Sequence, residues 1–248
     1  MKLDLHYTDP RLVALYDIDN SRGRDTNFYL HLARELEAQT IVDLGCGTGL
    51  LTCELAVDDG QRHVMGVDPA AEMLRWARRQ PGAEQVRWIE GDASAIGTPN
   101  ADLVLMTGNV AQVFLDDLEW DATLRAIHAA LHPDGYVAFE SRNPADRAWE
   151  RWNRAATYER IDSPNGPMEC WLELIEVGDG WVHFAGYNLF KASGEQVTAD
   201  STLRFRSAAE ISASLHDAGF VVDHVYGDWE HGPLTPTSRV MVFVAHRD

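Results

Sequence analysis

Seven residues, Asp43-Leu44-Gly45-Cys46-Gly47-Thr48-Gly49, set three glycines at alternate positions behind a carboxylate. An apolar run from Ile41 leads into them and Leu50-Leu51 lead away, the pattern of a strand turning tightly into a helix. Glycines at that spacing let backbone amides approach a ligand closely, and the N-terminus of the following helix favours a negative group. Such a turn needs glycine whether or not anything binds, so its neighbours must say what it holds. The dinucleotide fingerprint G-x-G-x-x-G is not met, because Leu50 and Thr52 fill the sixth positions counted from Gly45 and Gly47. A phosphate-binding G-x-x-x-x-G-K-[ST] loop is absent too, since the only lysines are Lys2 and Lys191.

Further polar groups follow at the ends of apolar runs. Asp68 closes Val64-Met65-Gly66-Val67 and precedes Pro69. A carboxylate there can accept hydrogen bonds from two ribose hydroxyls, about 1.5–3 kcal/mol each when charge-assisted, or it can cap a helix. Asp92 in Glu90-Gly91-Asp92-Ala93 reads as a ligand contact or as a turn residue. Thr107-Gly108-Asn109-Val110 ends the run Ala101 to Met106, and Asn109 either faces a ligand or caps Gln112 to Leu118. Leu131-His132-Pro133-Asp134-Gly135 turns into a last apolar run, Tyr136 to Glu140.

In this order the five segments resemble the motifs of class I S-adenosylmethionine-dependent methyltransferases of the small-molecule type. The resemblance is strong over Thr40 to Asn143 and looser over Ala208 to Ala245. It implies S-adenosylmethionine as cofactor and S-adenosylhomocysteine as product. The glycine turn (Asp43, Gly45, Cys46, Gly47, Gly49) would then meet the methionine end, and Asp68, with Pro69 and Met73, the ribose. Gly91, Asp92 and Ala93 would meet the adenine, and Thr107, Gly108 and Asn109 the sulfonium. In similar enzymes an N-terminal segment folds over the methionine end, which brings in Tyr16 and Tyr29; both also fit core-facing helix positions.

Methyl transfer from a sulfonium is an in-line displacement, so holding the acceptor in place can supply up to roughly 7–11 kcal/mol of the acceleration. A dedicated base is optional, and no catalytic residue stands out. His132, His63 and His246 are explained by a turn and strand ends, leaving His6, His31, His183 and His231 open. Acceptor selection is expected from Tyr7, Glu140, Arg142, Trp149, Trp171 and Tyr187, with Arg24, Trp152 and Trp181 nearby in sequence. Trp149 and Trp152 are three apart, which packing on a helix also explains. No metal is expected: Asp116-Asp117 reads as helix capping or a solvated pair. DNA amino methylation is disfavoured because no Asn/Asp-Pro-Pro-aromatic follows the fourth strand.

The elements that must position these groups alternate. Short apolar runs at Thr40 to Leu44, His63 to Asp68, Val86 to Glu90, Asp102 to Met106 and Tyr136 to Glu140 predict strands. Helical spacing between them predicts helices at Leu50 to Val57, Ala71 to Gln80 and Asp121 to His132. Upstream, two helices are expected, the second capped within Asp25-Thr26-Asn27. After Pro144 a tryptophan-bearing helix and three antiparallel strands are expected, then a helix at Ala208 to Ala218 and strands at Val221 to Tyr226 and Arg239 to Ala245. The expected fold is α/β: a doubly wound, seven-stranded, mostly parallel sheet of Rossmann-like type with an inserted antiparallel β lid. Four stretches follow: an N-terminal helical segment, 1–39; the cofactor-binding core, 40–143; the lid, 144–206; and the rest of the core, 207–248.

Composition narrows the partners. A net charge of −18, from 21 Lys plus Arg against 39 Asp plus Glu, opposes a nucleic-acid partner. The groups Arg75-Arg78-Arg79 and Arg147-Arg151-Arg154 read as solvated helix faces. The longest apolar run, Val240 to Ala245, is far short of the roughly 20 residues a membrane span needs. Met1-Lys2-Leu3-Asp4 lacks a signal pattern, and Cys46, Cys53 and Cys170 suggest reduced thiols, so a cytoplasmic protein is expected, acting on a small-molecule acceptor. The alternatives are a non-catalytic S-adenosylmethionine-binding regulator or assembly partner, a methyltransferase acting on protein, and an oxidoreductase on a related sheet.

Overall fold

The computed structural model describes residues 3–163 and 166–248; Met1 and Lys2, weighed above for a targeting pattern, lie outside them. Four N-terminal helices come first: α1 (Leu5–Thr8), α2 (Pro10–Val13), α3 (Tyr16–Asp19) and α4 (Arg24–Glu35). Their brevity follows from Asp9-Pro10, where the Asp9 side chain caps Arg11 N–H and Pro10 can only begin a helix. The α4 helix opens at Arg24, with Gly23 as N-cap and the Thr26 hydroxyl accepting from Gly23 N–H, so the cap expected within Asp25-Thr26-Asn27 lies slightly too late.

The alternating region gives β1 (Thr40–Leu44), α5 (Leu50–Asp58), β2 (His63–Asp68), α6 (Ala71–Ala77), β3 (Val86–Glu90), β4 (Ala101–Met106), α7 (Asp117–Ala130) and β5 (Leu131–Arg142). Ile41, Val42, Leu103, Val104 and Leu105 are all fully buried, as central parallel strands covered on both faces require. The α7 helix is capped by Asp116, whose side chain accepts from Leu118 and Glu119 N–H. The turn at Pro133-Asp134-Gly135 survives as an irregularity inside β5, where pairing jumps from Ala101 with Leu131 to Leu103 with Tyr136.

Beyond β5 the expected tryptophan-bearing helix is broken. Trp149 sits in a 3-10 turn, Ala148–Arg151, and only the four residues of α8 (Arg154–Thr157) are α-helical, started by the Asn153 side chain. Then come β6 (Glu159–Ser163), which the sequence did not announce, β7 (Gly166–Val177), β8 (Trp181–Phe190) and β9 (Glu195–Arg204). The chain ends with α9 (Ala208–Asp217), β10 (Phe220–Tyr226) and β11 (Val240–Arg247).

The described residues form a seven-stranded sheet in the order β10-β11-β5-β4-β1-β2-β3 and a four-stranded sheet in the order β6-β7-β8-β9. In the large sheet only the pairings of β11, with β5 and β10, are antiparallel; the small one is antiparallel throughout. Because β1 lies between β2 and β4, the chain winds away in both directions from the β1–β4 boundary, and ligands of such sheets bind beyond the strand ends there.

The N-terminal helices bridge the two sheets. Leu12 and Leu15 pack among Met168, Phe190, Val197 and Ala199 of the small sheet, while Val13, with Tyr7 and Tyr16, packs against Ala70 and Met73 beside α6. Burying a side chain such as Leu12 stabilises this arrangement by roughly 1.5–3 kcal/mol. Among the described residues no helix is long and apolar enough to cross a membrane.

Candidate functional site

The glycine turn is fastened from below. Asp43 is buried and accepts from the Thr52 hydroxyl at 2.6 Å, and burial pushes its carboxyl up to about 6. Gly45 and Cys46 N–H donate to the Val67 carbonyl, tying the turn to β2. Gly49 lies at φ +75 where an added Cβ would fall 2.6 Å from Trp88 and 2.9 Å from Ala77. It is therefore needed for close packing of the turn. Gly47, at φ +53, differs: an added Cβ would meet only Tyr16 Cε1, at 4.0 Å, and would project into a cavity.

That cavity, about 280 Å³, is lined by Gly45, Gly47, Asp68, Pro69, Met73, Asp92, Ala93, Thr107, Gly108 and Tyr16, all named from the sequence as cofactor contacts, and by Tyr7, named there as an acceptor contact. Asp68 accepts from Gly47 N–H on one oxygen and from Ala70 N–H on the other, each at 2.8 Å. It therefore ties the glycine turn to the segment leading into α6 while facing the cavity, but it does not cap that helix, whose N-cap is Ala70. Burial raises its carboxyl above the ordinary range despite the two donors. Asp92 is exposed; one oxygen accepts from Ser94 Oγ and N–H, and these bonds hold its carboxyl below the ordinary value. Val110, Val113, Phe114, Ala122 and Ala126 add an apolar lining, with Glu119 and Thr123 of α7 beside them. Open space at the Gly47 and Gly108 Cβ positions, carboxylates at the ends of β2 and β3, and an apolar wall fit a cofactor with a charged end, a ribose and a purine.

Other candidates lie outside this wall. Asp43 is beneath the turn. The Cys46 sulfur points at Gly66, 3.1 Å from where a Cβ would sit there, and burial pushes its thiol up. Gly91 donates to the Asp68 carbonyl at 3.0 Å, spacing the ends of β2 and β3 instead of lining the cavity. Tyr29 is fully buried and reaches Glu140, not the cavity. Asn109, at φ +63, begins a 3-10 turn without a side-chain capping bond, so it caps no helix.

A second cavity, about 890 Å³, adjoins the first and shares Leu3, Tyr7, Tyr16, Gly108, Val113 and Glu119 with it. Glu140 and Arg142 line it from the large sheet, Asn109 from the loop after β4, and Leu172, Phe184, Asp200 and Leu203 from the small sheet. Glu140 is 3% exposed. It accepts from the Tyr29 hydroxyl and from Asn109 N–H, both at 2.5 Å, and burial pushes its carboxyl up to about 7. Arg142 donates to Gln112 Oε1 at 2.9 Å, and burial lowers its pKa. Burial also pushes the Tyr16 hydroxyl up to about 12 and Tyr7 higher, so both remain protonated.

Of the expected acceptor residues, Tyr7, Glu140 and Arg142 are brought together here and three are not. Trp171 and Tyr187 stack at 5.2 Å, and strand alternation puts them on the face opposite Met168 and Leu172. Trp149 packs edge-on against Phe205 at 4.7 Å. His6 and His183 line the second cavity, whereas His31 pairs with Glu35 and His231 packs on Phe28 and Tyr226. Arg24 pairs with Glu230 at the surface, and Asp117 with Arg206.

Asp17 went unnoticed in the sequence. It accepts from Thr48 Oγ1 at 2.5 Å, Trp76 Nε1 at 3.0 Å and Gln80 Nε2 at 2.7 Å, joining α3 to the glycine turn and α6. Nothing in the local pattern Tyr16-Asp17-Ile18 distinguishes it from a solvated helix acid.

Residues 41–135 match the family of methyltransferase domains. Over 119 residues the chain is 37% identical to trans-aconitate 2-methyltransferase of Azoarcus sp. (strain BH72), covering 48% of this chain and 45% of that relative. The chain thus spans less than half the length of that curated relative. It is 27% identical over 251 residues to cypemycin N-terminal methyltransferase of Streptomyces sp, covering 96% and 97% of the two chains. Among solved structures it is similar to the S-adenosylmethionine-bound amino pentose methyltransferase of Micromonospora echinaspora, with TM-score 0.69, 22% identity and coverage of 92% and 93%.

Proposed function

We propose that this chain, whose residues 41–135 match a methyltransferase domain, is a class I S-adenosylmethionine-dependent methyltransferase and that it methylates a small molecule bearing an amine. The observation that carries the reading is the junction of the two cavities at Tyr7, Tyr16 and Gly108. A cofactor in the smaller cavity would present its reactive end to whatever fills the larger. When bound, S-adenosylmethionine supplies an electrophilic methyl group on a positively charged sulfur.

The chain's own residues would then hold the two reactants in line. Gly45, Gly47, Asp68, Pro69, Met73, Asp92, Ala93, Thr107 and Gly108 are our candidate cofactor contacts, and Tyr7, Glu140 and Arg142 our candidate acceptor contacts. Stretches 40–143 and 207–248 would form the cofactor unit, with 1–39 and 144–206 closing over the acceptor and excluding water. Asp4, Asp25, Asp116, Glu119, Glu140 and Asp200 line the larger cavity against one arginine, already bonded to Gln112. That field favours a cationic acceptor, opposes a polyanion, and with the net charge of −18 argues against nucleic acid. Two of the similar proteins are named for an N-terminal acceptor and for an amino pentose, consistent with nitrogen. A cytoplasmic setting fits the free thiols Cys46, Cys53 and Cys170.

The test is transfer of a radiolabelled methyl group from S-adenosylmethionine to a panel of amino sugars, short peptides, carboxylic acids and phenols. Label appearing on amines supports the reading. Label only on acids or phenols overturns the amine assignment. Tight cofactor binding with no transfer to any class would favour the non-catalytic binding protein.

A further inference from the structure

We infer that Glu140 receives the acceptor amine: its carboxylate pairs with the ammonium form and takes one proton from it, leaving a neutral nitrogen whose lone pair faces the methyl group. The inference rests on the amine reading above and assigns that site its proton acceptor.

Position is the first support. Glu140 lines the larger cavity, and the backbone N–H that fixes its Oε1 belongs to Asn109. The preceding residue, Gly108, lines both cavities, so the carboxylate is tied to the backbone at their junction. A group anchored there would stand beside an acceptor held where the two cavities meet.

Its hydrogen bonds are the second support. Tyr29 from α4 and Asn109 N–H from the loop after β4 each donate to a different oxygen, fixing the carboxylate plane from two elements. Each carboxylate oxygen accepts more than one hydrogen bond, so an ammonium can still bind. The Arg142 guanidinium, the nearby cation, donates to Gln112 Oε1 at 2.9 Å.

Charge is the third. The groups acting on Glu140 are Tyr29 and Asp25 of α4 and Arg142 of its own strand, with Tyr16 facing it from α3. The β11 residue opposite, Val242, is apolar. Burial outweighs the two donors and brings the carboxyl to about 7, the range in which a group can accept a proton and return it to water.

The balance is simple. The ammonium N–H bond breaks and its proton forms an O–H bond on Glu140, the nitrogen keeping the electron pair. That pair forms the N–C bond as the C–S bond breaks, and sulfur takes the bonding electrons. Glu140 loses its proton to water when the product leaves.

The test joins NMR to kinetics on the full chain. With glutamate labelled by carbon-13 at Cδ, one carboxyl should titrate near neutrality in the wild type and be missing in Glu140→Gln. Tyr29→Phe removes a donor that favours the carboxylate, so the midpoint should move to higher pH. With an amine from the panel, kcat/KM should rise with pH at that same midpoint and fall again as the amine loses its charge. The rising limb should shift with the NMR midpoint in Tyr29→Phe, and Glu140→Gln should lower kcat/KM by roughly 10²–10⁴-fold while S-adenosylhomocysteine affinity stays within about threefold. If amines are methylated but the limb ignores Tyr29→Phe, or Glu140→Gln keeps near-normal kcat/KM, Glu140 is a structural support and the inference fails while the amine reading stands. If only acids or phenols are methylated, the amine reading fails and takes this role with it. Should Glu140→Gln not fold, the wild-type and Tyr29→Phe comparison decides alone.

Discussion

The Tyr29 hydroxyl donates to Glu140 Oε2 at 2.5 Å, a buried bond joining residues 111 apart in sequence. It couples α4 to the end of β5 and, through Asn109 N–H on the other oxygen, to the loop after β4. The carboxylate therefore belongs both to the packing of the core and to the wall of the larger cavity.

That double membership makes stability depend on pH. In the folded chain burial raises Glu140 from its ordinary 4.5 to about 7, so the folded state holds the proton more tightly than the unfolded one. The resulting stability is fully present below about 4.5 and is lost as pH rises through 7. Asp43, raised to about 6, acts in the same direction. Wild-type melting temperature should fall between pH 5 and pH 8, and Glu140→Gln should remove on the order of 2–3 kcal/mol of that fall, roughly 4–10 °C. Parallel wild-type and variant curves in differential scanning calorimetry would contradict this.

Asp17→Ala should loosen the glycine turn without unfolding the chain. Its three donors, Thr48, Trp76 and Gln80, would lose an acceptor that links α3 to α6. Hydrogen exchange should speed up at 45–49, and S-adenosylhomocysteine affinity should drop about three- to thirtyfold by calorimetry. Unchanged exchange there would show that the turn is held without Asp17, by the Val67 carbonyl and Asp68.

Asp68→Ala removes the acceptor for Gly47 and Ala70 N–H together with the carboxylate facing the smaller cavity. Charge-assisted bonds contribute about 1.5–3 kcal/mol each, so S-adenosylmethionine affinity should fall at least tenfold. Asp68→Asn offers one carbonyl oxygen in place of two acceptors and should fall between. Equal affinity for all three proteins would remove Asp68 from the cofactor site.

Much of this framework was legible because single residues carry it. The limits of β1, β2 and β3 follow from short apolar runs closed by glycine or by an acid, and the glycine turn and Asp68 could be named from their order along the chain. What stayed hidden depends on distant partners. Asp17 acts through residues 31, 59 and 63 positions away, and Tyr29 through one 111 away, so no local pattern marks either. Trp171 and Tyr187 were attractive as aromatic groups, yet strand parity turned them from the cavity, and parity depends on register that the sequence leaves open. The helix expected around Trp149 failed because packing against Phe205 fixed that stretch as a 3-10 turn.

The most direct measurement is calorimetric titration of S-adenosylmethionine and S-adenosylhomocysteine into the wild type and Gly47→Ala. The added methyl group would meet nothing nearer than 4.0 Å in the chain, but at φ +53 it costs roughly 1–2 kcal/mol and projects into the cavity. The expected result is one saturable site per wild-type chain and at least a tenfold loss in a variant that still melts cooperatively. Equal affinity in both proteins, or no binding to folded wild type, would contradict the assignment of this cavity to the cofactor.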